Sequence, residues 1–363
     1  MKINILACLI CLTLFSCSRE SELYQPDRLI EVENDYDVKS KSCQVIDTLV
    51  QNIGGAYSID NYLIVLTNNS GSLINVYDVR NDKKIASFGD KGNAKNEFGD
   101  SFWHSYVTKY PNGEIMLNVS QAAGTITKVI NVNKSIKHGK CCLERIIKHT
   151  QNNASTFSRP YFFGDNSYIC YKEVSYDDPR DNIFYAPNII CSDKGKIKTK
   201  CVFPKTIKTD YLNNIFCAYS FTYSVRPDFK KSVNAMKFID IINFVDTHSL
   251  EVIGVCNKLS VDMSYFESDI NESNLTKKIK LYNIAICSSN EKVFVLKTNG
   301  VSIQDIYDKK PFNKFIFVYD WDGNLLDSFE VKEELAYIAY NEKYNMLYGI
   351  SDEGIIVKMN YMK

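Results

Sequence analysis

Excess charge of either sign, dense histidine and a second long apolar run are all missing from this chain. Its 43 basic and 43 acidic residues cancel over 363 positions. No arm or stripe of positive charge stands out, which argues against nucleic acid as a partner. The nearest thing to a basic run is Lys277-Lys278-Ile279-Lys280. It neighbours Glu267, Asp269 and Glu272 and reads as a solvated loop. Only His104, His138, His149 and His248 are present. No His-x-His or His-Glu-x-x-His occurs, which excludes the usual zinc hydrolase pattern. Neither a Gly-x-Ser-x-Gly elbow nor a Gly-Lys-Ser/Thr phosphate loop is found. No catalytic residue, metal ligand or cofactor is therefore expected. The acidic loop Tyr176-Asp177-Asp178-Pro179-Arg180-Asp181 lacks the spacing and central Gly of a calcium loop, so a solvated turn is the expectation. Gly (16) and Pro (8) are modest, whereas Tyr (24) and Phe (20) are abundant, which favours strands.

The chain begins with Lys2 and an apolar run from Ile3 to Phe15. That run is shorter than the roughly 20 residues of a membrane-crossing helix and reads as an export signal. Leu14-Phe15-Ser16-Cys17 resembles the lipobox of bacterial lipoproteins. The resemblance implies removal of residues 1–16 and lipidation of Cys17. Lipid is then the membrane anchor, and several acyl chains on one Cys hold firmly. Residues 17–41 are polar, with Glu20, Glu22, Pro26, Glu31, Glu33, Asp35 and Asp37, and read as a tether. Ser18-Arg19-Glu20-Ser21-Glu22 partly resembles a surface-export signal of anaerobic Gram-negative bacteria. The implied location is the cell envelope, at the outer membrane.

Cys8 and Cys11 leave with the signal. Nine cysteines other than Cys17 remain: Cys43, Cys141, Cys142, Cys170, Cys191, Cys201, Cys217, Cys256 and Cys287. An odd number cannot all pair within one chain. Most sit in apolar runs, so buried free thiols are expected, with one or two disulfides or a metal site as alternatives. Cys141 and Cys142 would point to opposite faces of a strand, which argues against a shared ligand.

Between residues 42 and 363 a four-strand pattern recurs about every 40–50 residues, the period of propeller blades. The first unit spans 56–89, with short strands around 57–59, 62–67, 73–78 and 84–88 and Asn, Asp, Ser and Gly at the turns. Similar units follow, with strands at 103–109, 114–119, 125–132 and 143–148; 161–164, 167–172, 187–191 and 197–203; 215–223, 232–238, 239–246 and 251–256; and 281–287, 292–297, 314–320 and 325–331. A sixth unit, 335–341, 345–351 and 354–360, is one strand short, and 43–50 is a strand left over. Pairing the two closes a ring without a long free edge. The predicted fold is all-β: a monomeric six-bladed β-propeller of four-stranded antiparallel blades, closed by the N-terminal strand. Val76-Tyr77-Asp78 and Val318-Tyr319-Asp320 begin matching hairpins, with Phe244-Val245-Asp246 a weaker echo.

Tyr110-Pro111-Asn112-Gly113 and Arg226-Pro227-Asp228-Phe229 resemble the Pro-Asp-Gly-Lys turns of TolB-type blades, the second with Phe229 in place of Gly. Gly89-Asp90-Lys91-Gly92 leading to Phe98 is similar to the link between NHL-type blades. Together with the lipobox, the mature chain resembles TolB-like six-bladed propeller lipoproteins.

The usable surface of a propeller is the mouth of its channel, lined by innermost strands and inter-blade loops. The ligand-binding candidates there are Trp103, His104, Tyr106, Arg159, Tyr161, Tyr219, Tyr223, Arg226 and Tyr282, since aromatic and Arg side chains anchor partners. Their alternative fate is packing between blades. Long inter-blade segments at 89–102, 151–159, 204–214 and 257–280 are of a length more often functional or mobile than idle; the last, with a short helix expected near 265–271, reads equally as a lid or docking element and as a decorative excursion. The first functional expectation is a binding module for a protein, peptide or glycan. The second is a hydrolase, lactonase or lyase using carboxylates such as Glu97, Asp165 or Asp305 around a channel-bound divalent cation.

Overall fold

The computed structural model describes residues 26–32, 39–49, 52–68, 71–99, 104–121, 126–148, 158–164, 167–171, 188–202, 218–257 and 276–361. The signal region, Cys17, Trp103 and the helix expected near 265–271 lie outside these residues. Three N-terminal strands come first: β1 (Arg28–Val32), β2 (Lys39–Lys41) and β3 (Gln44–Thr48). Six antiparallel sheets then follow in chain order. Blade 1 comprises β4 (Ile53–Ile59), β5 (Tyr62–Thr67), β6 (Ile74–Asp78) and β7 (Lys83–Phe88). Blade 2 comprises β8 (His104–Lys109), β9 (Ile115–Gln121), β10 (Ile126–Asn131) and β11 (Leu143–Lys148). Blade 3 comprises β12 (Ser158–Gly164), β13 (Ser167–Tyr171), β14 (Asn188–Asp193) and β15 (Lys196–Cys201). Blade 4 comprises β16 (Phe221–Val225), β17 (Lys231–Met236), β18 (Ile241–Asp246) and β19 (Val252–Asn257). Blade 5 comprises β20 (Lys280–Ser288), β21 (Lys292–Ser302), β22 (Lys314–Asp320) and β23 (Leu325–Val331). Blade 6 comprises β24 (Leu335–Asn341), β25 (Met346–Ser351) and β26 (Ile355–Asn360), and β3 completes it.

Closure follows the expected scheme. β3 pairs antiparallel with β26, placing Thr48 opposite Ile355 and Gln44 opposite Lys358. The preceding stretch, expected as a tether, also contributes structure. β1 lies parallel to β19 on blade 4, and β2 lies parallel to β23 on blade 5. The N-terminal segment therefore crosses the outer edges of two blades before becoming the outer strand of a third. Covered edges cannot template pairing with another chain.

The hydrophobic core is divided among the blade interfaces. Ile64, Phe88, Phe98, Leu117 and Val119 pack between blades 1 and 2. Val233, Phe244, Val293, Phe317 and Trp321 fill the interface of blades 4 and 5. Turn chemistry repeats as the hairpin match predicted. The Asp78, Asp246 and Asp320 side chains each accept a backbone N–H two residues on, from Arg80, His248 and Asp322 at 3.0, 2.9 and 2.9 Å.

Two segments depart from the expected strands. The first strand of blade 4, expected at 215–223, begins at Phe221 and runs to Val225, after a turn at Ala218-Tyr219. Blade 2 carries a helix, Val132–His138, between its third and fourth strands. The Asn131 side chain caps its start by accepting from Lys134 N, and Gly139 ends it at φ 62°.

Candidate functional site

The innermost strands β4, β8, β12, β16, β20 and β24 surround a channel cavity of about 900 Å³. Their side chains bond from each blade to the next, and this circuit sets the wall. The Tyr337 hydroxyl on β24 donates to Ile53 O on β4 at 2.9 Å. Tyr57 on β4 donates to Ser105 O on β8 at 2.6 Å. Tyr106 on β8 accepts from Phe162 N on β12 at 2.7 Å. Tyr161 on β12 reaches Tyr223 O on β16 at 3.5 Å. Ser224 on β16 and Ser288 on β20 share a 2.8 Å bond. At the last seam, Asn290 after β20 donates to the Glu342 carboxylate after β24 at 2.7 Å. Burial raises the Tyr106 and Tyr337 hydroxyls above the ordinary tyrosine range, and it pushes the Cys287 thiol on β20 up to about 12. Burial thus favours the neutral, protonated form of each of these groups.

One side of the wall is aromatic. His104 packs on Tyr106, on the edge of Tyr161 and on Tyr223, with ring centroids 5.7, 4.7 and 5.7 Å apart. Tyr161 lies 4.6 Å from Tyr106 and 5.2 Å from Tyr223. The rings of blades 2 to 4 thus touch in one continuous group, while blades 5, 6 and 1 contribute small residues such as Ala285, Ser288, Ala339, Gly55 and Ala56 together with Tyr57, Tyr337 and Tyr340. Charge gathers at the end of the channel where the inner strands finish. Asp60 and Lys109 form a 2.7 Å ion pair there, and Lys343 donates to Asn61 at 2.8 Å. Arg226 is held bidentately by Asp228 at 2.7 and 2.8 Å and lies over the Trp321 ring.

The candidates predicted from sequence divide accordingly. His104, Tyr106, Tyr161, Tyr223 and Arg226 come together on the cavity wall, where the aromatic members also pack between blades. Tyr219 is buried in the core of blades 3 and 4 and does not line the cavity. Tyr282 lies off the channel, packed against Gly300. Arg159 falls on β12, but its side chain is outside the described residues, as is all of Trp103. Sequence reasoning missed Tyr57, Ser105, Ser224, Ser288 and Tyr337. Each sits on a first strand of a blade, and that position was the available signal.

The carboxylates considered for a channel-bound cation lie elsewhere. Glu97 accepts from Ala94 N in the link between blades 1 and 2. Asp305, in the first turn of the short helix Ile303–Tyr307, is tied to Ser302 and Lys310. Neither lines the cavity, and Asp165 is outside the described residues. Among the described residues no group of three or more His, Cys, Asp or Glu side chains is arranged to hold a metal ion. Cys43, Cys141, Cys142, Cys170, Cys191, Cys256 and Cys287 are free thiols, with Cys170, Cys191 and Cys256 buried.

No family model matches the sequence, and no curated protein matches it. Solved structures do. A Bacteroides fragilis protein assigned as exported is 13% identical, with a TM-score of 0.57 over 91% of this chain and 98% of its own. The propeller domain of Myceliophthora thermophila Cps50 (Swd1) is 8% identical, with a TM-score of 0.41 over 89% of this chain and 100% of its own. A calcium-binding regucalcin of Agrobacterium tumefaciens is 10% identical, with a TM-score of 0.45 over 89% and 95%. At these identities the likeness to the exported protein concerns the fold alone. The fold defines the chain as a six-bladed β-propeller closed by its N-terminal strand.

Proposed function

We propose that this chain is a TolB-like propeller lipoprotein, anchored through Cys17 at the outer membrane, that holds a protein, peptide or glycan in its channel. The observation that carries this reading is the cavity itself. At about 900 Å³ it falls within the size of ligand sites, with aromatic rings in its wall and an ion pair at its rim. Rings present apolar faces at small entropic cost, and Arg226 on Trp321 adds a fixed guanidinium. The wall hydroxyls are already committed to neighbouring blades, which suits a rigid receptor better than a centre of proton transfer.

The test is capture with the chain from Ser18 onward, using envelope extract and a glycan panel as bait sources. Thr222, half-buried on β16, lines the cavity. Thr222→Trp places a large ring in the channel. A partner retained by the natural sequence and lost with Thr222→Trp supports the reading. Equal retention by both proteins, or none by either, contradicts it.

A further inference from the structure

We propose that the outer edge of blade 3 faces an anionic membrane surface, so that the propeller stands edge-on with both channel mouths open sideways. The inference rests on the lipid-anchor reading of Cys17 and adds an orientation to it.

The first observation is where the chain joins the ring. The Asp27 carboxylate accepts from Val252 N, at the start of β19, at 2.7 Å and pairs with Lys200 on β15. Arg28 then donates to Asp322 O at 2.7 Å, and β1 continues along blade 4. The N-terminal strap is therefore fastened at the periphery, at the junction of blades 3 and 4. Ten peptide units join Cys17 to Asp27. Fully extended they reach about 34 Å. A domain of this length has a radius of gyration of about 20 Å and is about 50 Å across. The anchor thus limits the blade 3–4 rim to within about 34 Å of the bilayer, while the opposite rim is free to lie farther off.

The second observation is the charge of that rim. β1 and β2 cover the outer edges of blades 4 and 5, which leaves β15 as the first uncovered edge beside the strap. Its hairpin carries Lys194, Lys196, Lys198 and Lys200, with Asp193 the one acid. Lys194, Lys196 and Lys198 are exposed, and Lys198 spends one N–H on His248 O at 2.8 Å, which leaves its charge uncompensated. Ile197 between them is 51% exposed. Lysines on an edge also discourage strand pairing, and blade 1 uses Lys83 and Lys84 in that way. Among the described residues, the blade 3 edge alone combines alternating lysines with the point where the strap joins the ring. Outer strands lie on the circumference of a propeller, so this contact lays the channel axis parallel to the bilayer.

The experiment is amine-reactive footprinting of the lipidated full-length protein in detergent, in zwitterionic vesicles and in vesicles rich in anionic lipid. Intact mass establishes the acyl chains beforehand. In anionic vesicles Lys194, Lys196 and Lys198 should label about fivefold less than in detergent, the factor that one lysine's attraction to such a surface corresponds to. Lys83 and Lys84, two blades away on blade 1, should label equally in all three, and the protection should shrink in zwitterionic vesicles. Uniform labelling around the ring in anionic vesicles, or protection centred on Lys83 and Lys84, overturns the orientation alone. An intact mass lacking acyl chains overturns the lipoprotein reading, and the orientation falls with it.

Discussion

The hydroxyl of Tyr337 donates to the carbonyl of Ile53 across 284 positions of sequence, at 2.9 Å, where blade 6 meets blade 1. It belongs to the circuit in which the inner strand of one blade bonds that of the next. Removing one such donor strands a carbonyl at a blade interface. Tyr337→Phe should therefore cost about 1 kcal/mol with the fold unchanged. Urea unfolding of both proteins measures it, and a loss shown by a lower midpoint at constant slope is expected.

The buried tyrosines make stability sensitive to alkali. Burial pushes the Tyr340 and Tyr361 hydroxyls up to about 12 from an ordinary value near 10. A raised value means the neutral form is favoured by folding. That contribution is fully present below pH 10 and is lost as pH rises toward 12. Denaturant midpoints should hold steady from pH 8 to 10 and fall above it. Replacing Tyr340 with Phe should flatten part of that fall.

Phe229 occupies a left-handed backbone position, φ 61°, where the equivalent turn of blade 2 has Gly113 at φ 84°. Phe229 N donates to Arg226 O as Gly113 N does to Tyr110 O, at 2.8 and 2.9 Å. The ring stacks on Phe163 at 4.9 Å, which offsets the strain. Ala at this site keeps the strain and loses the stacking, whereas Gly loses both. Phe229→Gly should be more stable than Phe229→Ala by about 1 kcal/mol. Equal stability would show that this backbone geometry is not held in solution.

Cys287 lines the channel wall, yet its thiol, pushed up to about 12 from 9.0 by burial, should react slowly. Alkylation at pH 8 should run about thirtyfold slower at Cys287 than at an unperturbed thiol, since the scarcer thiolate is also the more nucleophilic, and denaturation should abolish the difference. Peptide mapping after timed alkylation reads this directly.

Most of the ring was legible because blade strands announce themselves. Lys314–Asp320, Leu325–Val331 and Leu335–Asn341 alternate between Asx and glycine turns, and their bounds agree with the sequence reading. The closing strand was legible by subtraction, since blade 6 lacked a member and Gln44–Thr48 was left over. β1 and β2 were not legible. β1 is a short stretch set among acidic residues, whose Ile30 and Val32 pack on the core between blades 4 and 5, and β2 is only Lys-Ser-Lys; both exist as strands because the outer edges of β19 and β23 supply partners. Their order comes from tertiary pairing, which local pattern does not encode. The same limit applies to the site. Membership of an inner strand was readable for His104, Tyr106, Tyr161 and Tyr223. That their rings would meet across three blades depends on how the sheets stack.

Closure of the ring is the relationship on which channel, strap and anchor geometry all depend, and a covalent bond tests it most directly. Gln44 on β3 lies opposite Lys358 on β26. Opposed residues in an antiparallel pair have Cβ atoms about 5 Å apart, within small adjustment of disulfide geometry. In Gln44→Cys/Lys358→Cys, mild oxidation should join the two positions in nearly all molecules. A faster-migrating band that dithiothreitol reverses would show it, with no such band from the unsubstituted chain. Failure of the two cysteines to join in the native protein, with joining only after unfolding or between molecules, would contradict the closed ring.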